Sequence, residues 1–160
     1  MGEMDQGDYG AAVGYLDRGL AQERQRGNRA GSAVFMMNLG FINLRQGDRK
    51  AASINFEEAL KTAQGMETPN LTISIHVGLA AGHKAQAEYE MAIQSFDKAL
   101  EIGYCIGDKA RQAEILWWKG DVFYAQGLYE KALDLFRAST PTFESTGGSK
   151  HRSPGAHFKG

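Results

Sequence analysis

A pattern of small and aromatic residues returns every forty residues along this chain. The stretch RQGDRKAASINFEEAL contains Ala-x-x-x-Phe, which occupies residues 52–56 and recurs at 92–96 and 132–136. A fainter copy, Ala-x-x-x-Leu, stands another forty residues upstream at 12–16. A fixed period of this size is typical of repeat proteins, in which each unit buries its apolar face against its neighbours. The period therefore predicts an array of similar units.

Each unit is predicted to be a pair of antiparallel helices. Apolar residues follow helical spacing on both sides of a short polar stretch, which reads RQGD in the second unit. Gly47 and Gly127 share one phase of the period with Gly7 and Ala87. A glycine in the left-handed conformation ends a helix without a side-chain clash. A short loop then brings the next helix back antiparallel to the first.

A second column of small residues lies inside the first helix of each unit. It consists of Gly40, Ala80 and Gly120. Because glycine in a helix interior costs about 1 kcal/mol relative to alanine, we expect a compensating close approach of the paired helix. The phenylalanines of the repeated pattern would fill the space beside this contact.

The columns resemble the tetratricopeptide repeat, whose signature is Trp-x-x-Leu-Gly-x-x-Tyr, then Ala-x-x-x-Phe, then Ala. The second unit matches the signature at Met36, Leu39, Gly40, Asn43, Ala52, Phe56 and Ala59. The fourth unit matches it at Leu116, Gly120, Phe123, Ala132 and Phe136. The match covers residues 6–139 and implies an all-α fold, an α-α superhelix (solenoid) of antiparallel helix pairs with about seven helices.

The resemblance predicts one array over residues 1–146, followed by a flexible basic tail at 147–160. The array would comprise a half repeat and three full repeats, at 6–28, 29–68, 69–108 and 109–140. The half repeat lacks its first helix. Its apolar residues are therefore expected to lose the partner that normally covers them, namely at Val13, Leu16 and Leu20.

The forty-residue unit is longer than the usual tetratricopeptide repeat of about 34 residues. Helices lengthened between the units resemble those of the Leu-Gly-Asn repeat proteins of the Pins type and of kinesin light chains. In the Leu-Gly-Asn proteins an asparagine that holds peptide backbone directly follows the glycine. This chain has Phe41, Ala81 and Asp121 at that position. The resemblance therefore predicts the architecture and leaves the ligand open.

Composition favours an intracellular, cytoplasmic protein without a cofactor. The 160 residues carry a net charge of −1, which gives no reason to expect nucleic acid as a partner. The single cysteine, Cys105, excludes a disulfide framework. No apolar run approaches the length of a membrane span, and the N-terminus has no signal pattern. His76 and His83 are interpreted as packing residues, so the sequence predicts no metal site, no catalytic group and no enzyme.

The resemblance also implies a concave groove lined by the first helices of successive units. The residues predicted to bind a partner there are Met37, Asn38, Phe41, Arg45, Val77, Lys84, Trp117, Trp118, Asp121 and Tyr124. Aromatic residues with a polar atom often dominate interface energy. For the tryptophans an alternative stays open, in which Trp118 packs against the neighbouring helix and Trp117 covers the end of the array.

The function predicted from these observations is a non-catalytic scaffold that binds a protein partner through a peptide or helix. The mixed charge of the groove favours a ligand that is partly apolar and carries some positive charge. The alternative is a structural segment of a larger assembly, docked through its ends and convex face. In that case the uncapped ends would also allow a homo-oligomer.

Overall fold

Seven α-helices make up residues 6–143, the part of the chain that the computed structural model describes. They are α1 (Gln6–Arg26), α2 (Arg29–Gln46), α3 (Arg49–Ala63), α4 (Pro69–Ala85), α5 (Tyr89–Ile106), α6 (Lys109–Ala125) and α7 (Tyr129–Phe143). Residues 6–143 contain no strand. The predicted all-α solenoid is confirmed: α1 packs against α2, and the pairs α2–α3, α4–α5 and α6–α7 follow. The predicted tail at 147–160 lies outside the described residues.

The turns inside the units follow the predicted column of left-handed residues. Gly47 and Gly127 have φ angles of 84° and 83°, and Ala87 adopts 61° without being glycine. Gly7 departs from the prediction, because it lies in the first turn of α1.

Two of the three turns between units are short, because extra residues of the long period extend the helices, while five residues (64–68) separate α3 from α4. Only Gly27 and Asn28 separate α1 from α2, and only Gly107 and Asp108 separate α5 from α6. The side chain of Asn28 accepts a hydrogen bond from the N–H of Gly31 at 3.0 Å. This contact satisfies one of the free donors at the start of α2. Tight turns of this kind hold the helices of successive units against each other.

Phe56 joins one unit to the next within the first core, the cluster of buried apolar side chains from α1, α2, α3 and α4. Its side chain is fully buried. A Cβ atom added to Gly40 would lie 2.7 Å from the Phe56 ring, and one added to Gly78 would lie 2.3 Å from it. Gly40 belongs to the same unit and Gly78 to the following unit, so the ring occupies space that both glycines leave free. The predicted close approach beside Gly40 is present, and α4 contributes a second glycine.

The N-terminal helix is better covered than the sequence predicts. Leu20 is buried, and Val13 and Leu16 pack half-buried against the first core. The expectation that these residues lose their cover is wrong for Leu20, because α2 of the next unit packs against α1. None of the helices in the described range is both long and apolar enough to cross a membrane.

Candidate binding groove

A cavity of about 280 Å³ lies between α4 and α6, the first helices of the third and fourth units. Four of the ten predicted groove residues meet there. The lining consists of Val77, Ala81 and Lys84 from α4, Phe96 from α5, and Trp118 and Asp121 from α6. The floor is apolar and aromatic, and the two charged side chains lie at the mouth.

An ion pair spans the mouth of this cavity. Lys84 Nζ donates to Asp121 Oδ2 at 2.5 Å. The two side chains are 38% and 36% exposed, so water screens the pair and its contribution to stability is at most about 1 kcal/mol. A ligand with either charge could therefore exchange with one partner at small cost.

A second contact links the same two helices nearer their N-termini. Arg111 Nη2 donates to Ser74 Oγ at 2.6 Å, and Arg111 Nη1 lies 3.8 Å from Glu114 Oε1. Arg111 is not among the predicted groove residues, because its position at the start of α6 shows no aromatic or small-residue signal. With Arg111 included, Lys84 and Arg111 balance Glu114 and Asp121. The preference for a partly apolar ligand that carries some positive charge stays a prediction.

The two tryptophans occupy different places. The ring of Trp118 stacks on Phe96 with centroids 6.3 Å apart and an interplanar angle of 24°, so Trp118 packs against a neighbouring helix and also lines the cavity. Trp117 is 45% exposed, and its ring lies 5.3 Å from that of Phe136. Trp117 therefore lies at the C-terminal end of the array, away from the α4–α6 cavity.

The remaining predicted residues lie apart from the cavity. Met37 and Phe41 pack against the first core, where the Phe41 ring meets Phe56 edge-on at 5.0 Å. Asn38 is half-buried on α2, and Arg45 is exposed near the end of that helix. Tyr124 is 57% exposed and contacts Tyr129 of α7, with ring centroids 5.1 Å apart.

The two histidines have separate surroundings. His76 is buried, with 8% of its surface exposed. Burial, reinforced by the positive charge of Lys98, lowers the pKa of His76 below its usual value of 6.5. His83 lies closer to the surface, with its Nδ1 2.8 Å from Glu88 Oε1. Within residues 6–143, no three His, Cys, Asp or Glu side chains are grouped so that they could hold a metal ion.

The repeat columns match those of a known family over the second half of the chain. A family model described as tetratricopeptide repeat matches residues 71–145. This part of the chain is of the tetratricopeptide-repeat type. The resemblance found in the sequence is confirmed for the repeat type, and the likeness to the Leu-Gly-Asn and kinesin light chain subtypes stays a prediction. Comparison with curated proteins finds no match.

Three solved structures share the arrangement of these tetratricopeptide-type helices. BtubC (BKLC) from P. vanneervenii is 19% identical with a TM-score of 0.73, over 88% of this chain and 59% of that one. Aspartyl phosphate phosphatase F from Bacillus subtilis is 18% identical with a TM-score of 0.77, over 84% of this chain and 36% of that one. The N-terminal domain of stress-induced protein-1 (STI-1) from C. elegans is 21% identical with a TM-score of 0.59, over 82% of this chain and 93% of that one. At these identities the likeness shows the fold alone, and the chain spans only part of the first two proteins.

Proposed function

We propose that this protein is a non-catalytic scaffold whose α4–α6 groove binds an apolar side chain of a peptide or helix from a partner protein. The tetratricopeptide repeat family is generally non-catalytic, and its fold suggests protein–protein interaction. The observation that carries the proposal is the cavity of about 280 Å³ with Trp118 and Phe96 in its lining. Pockets that bind ligands are mostly apolar, with a few polar groups that fix orientation.

The contacts of the groove suggest what such a ligand contributes. An aliphatic or aromatic side chain would enter between Val77 and Trp118 and displace water from apolar surface. A polar or charged group beside that anchor would exchange with the Lys84–Asp121 ion pair at the mouth. We expect affinity to come chiefly from the anchor, because buried tryptophans are typical interface hot spots and exposed ion pairs contribute little.

The proposal can be tested with peptides selected for binding to the full chain from a random-sequence library. Trp118→Ala should weaken a selected peptide by about 2 kcal/mol or more, roughly thirtyfold in Kd, as measured by isothermal titration calorimetry. Trp117→Ala is the matched control, since this neighbouring tryptophan lies outside the cavity and its loss should leave Kd unchanged.

A second variant separates binding from folding. Ala81 lines the cavity and is half-buried, so Ala81→Gln places a neutral side chain into the mouth and leaves the Phe96–Trp118 stack in place. It should weaken peptide binding by a similar factor without changing the circular dichroism spectrum. Selected peptides that bind both variants as tightly as the unaltered chain would refute the groove as the binding site.

An intracellular, cytoplasmic location is part of the proposal. The chain has a single cysteine, Cys105, which is exposed and unpaired. A free exposed thiol is compatible with a reducing compartment.

A further inference from the structure

The outer face of α7 repeats the face by which α5 holds the next unit, yet no helix of residues 6–143 covers it. On α5, Phe96 and Leu100 are 4% and 7% exposed because α6 covers them. Forty residues later, Phe136 and Thr140 occupy the same columns on α7. Tyr129 and Leu133 occupy the columns of Tyr89 and Ile93. Tyr129 and Leu133 are 61% and 45% exposed, and no helix covers this face within residues 6–143. With Tyr124 it forms an apolar hollow of about 460 Å³.

Two opposite charges border this face on the same side. Glu130 and Arg137 are seven residues apart, or about two helical turns, so they lie on one flank of α7. Both are exposed, and neither forms an ion pair with another residue of the described range. On α5 the equivalent flank contacts the next unit. Asp97, which lies forty residues before Arg137, forms an ion pair with Lys119 of α6 at 2.7 Å.

We propose that a second copy of this chain covers the face, with α7 packed antiparallel against its counterpart about a two-fold axis. Rotation about a two-fold axis perpendicular to both helices reverses the direction of the helix. It also places the same flank of each α7 on the same side of the contact. If the axis passes between Leu133 and Asp134, Glu130 of each copy meets Arg137 of the other. The apolar side chains of Tyr129, Leu133 and Phe136 then lie at the centre. The contact is closed, so it gives a dimer and not a filament.

The charge pattern favours a second copy over a further unit supplied by the chain itself. In the forty-residue register, the chain has Lys159 where α6 has Lys119. A lysine at that place would meet Arg137, whereas Lys119 meets Asp97. Two positive charges side by side in that position repel each other. In an antiparallel dimer, by contrast, Glu130 of each copy faces Arg137 of the other, so opposite charges meet.

The test measures the dissociation constant of the dimer by sedimentation equilibrium of the full chain. E130R and R137E each bring like charges together twice per dimer and should each raise the Kd about tenfold. The double variant E130R/R137E restores both pairs in reverse and should return the Kd to within about threefold of the original. The matched control is E90R, the same change at the same phase of α5, which should leave the Kd unchanged.

A further variant, L133D, tests the apolar centre of the face. L133D, which places a charge at the centre of the face, should give a monomer that keeps its helical circular dichroism. A chain that is monomeric at every concentration, a Kd indifferent to E130R and R137E, or a double variant that stays weak would each overturn the proposed dimer. The face does not include the α4–α6 groove, so loss of peptide binding in Trp118→Ala is a separate result.

Discussion

Replacement of Phe56 gives the most direct measure of how successive units fit together. The side chain is fully buried and lies between two glycines, one from its own unit and one from the next. Phe56→Ala should lower the free energy of unfolding by about 4–5 kcal/mol, the upper part of the range for a buried phenylalanine. The cost is high because Gly40 and Gly78 have no side chains that could move into the vacated space.

The matched control is Phe136→Ala, whose effect on the free energy of unfolding is compared with that of Phe56→Ala. Phe136 occupies the same column forty residues later, and its ring also covers a glycine, since a Cβ on Gly120 would lie 2.9 Å from it. It is only half-buried, however, because no further unit packs on α7 within the described residues. Phe136→Ala should therefore cost no more than about half as much as Phe56→Ala.

Gly78→Ala sharpens the test, because its effect should change sign with the residue at 56. In the unaltered chain the new methyl group collides with the Phe56 ring, and overpacking of this kind costs about 1–3 kcal/mol. In the Phe56→Ala background the methyl group enters the cavity, and alanine also gains about 1 kcal/mol over glycine in a helix. We expect a favourable coupling energy of about 2–4 kcal/mol.

The assay is urea unfolding followed by far-UV circular dichroism, fitted with a nearest-neighbour scheme if the transition broadens. Equal costs for Phe56→Ala and Phe136→Ala would refute the assignment of Phe56 to the joint between units. Additive effects of Phe56→Ala and Gly78→Ala would refute the direct contact between the ring and α4.

Two further predictions concern single residues. Ala87 adopts a φ of 61°, so Ala87→Gly should raise the free energy of unfolding by about 1 kcal/mol, and a decrease in thermal stability would contradict this reading. The lowered pKa of His76 means that the unfolded chain takes up a proton at higher pH than the folded chain. Stability should therefore fall as the pH drops below about 6.5 towards the folded-state pKa. His76→Met, which introduces the residue present at Met36, should flatten this dependence in urea titrations at several pH values, and an unchanged slope would show that another group is responsible.

The sequence predicts the helices of this protein well because their signals are local and repeated. The number of helices follows from a period that places the same turn residue in each unit, and Ala87 keeps the left-handed turn even without glycine. Gly7 shows the limit of the pattern. Gly7 is in phase with the turn residues, yet it lies in the first turn of α1.

The candidate groove is less accessible to prediction, since it depends on how far one unit rotates against the next. Met37 and Trp117 are eighty residues apart, so the period indicates that they point in related directions. It does not show that Met37 packs against the core while Trp117 reaches the end of the array. Arg111 was missed because only the approach of α4 to α6 brings it to Ser74.

The contacts of Phe56 and Phe96 with the units that follow them restrict the order in which the units can be arranged. Phe56 adjoins Gly78, whereas Phe96 adjoins Trp118, although both neighbours occupy the same column. Excision of residues 69–108 would keep all columns in phase and yet bring an indole to the place where Phe56 tolerates only a hydrogen atom. The units therefore share one architecture but are not interchangeable. Shuffled or shortened arrays should fold only where a large side chain of one unit faces a small residue of the next.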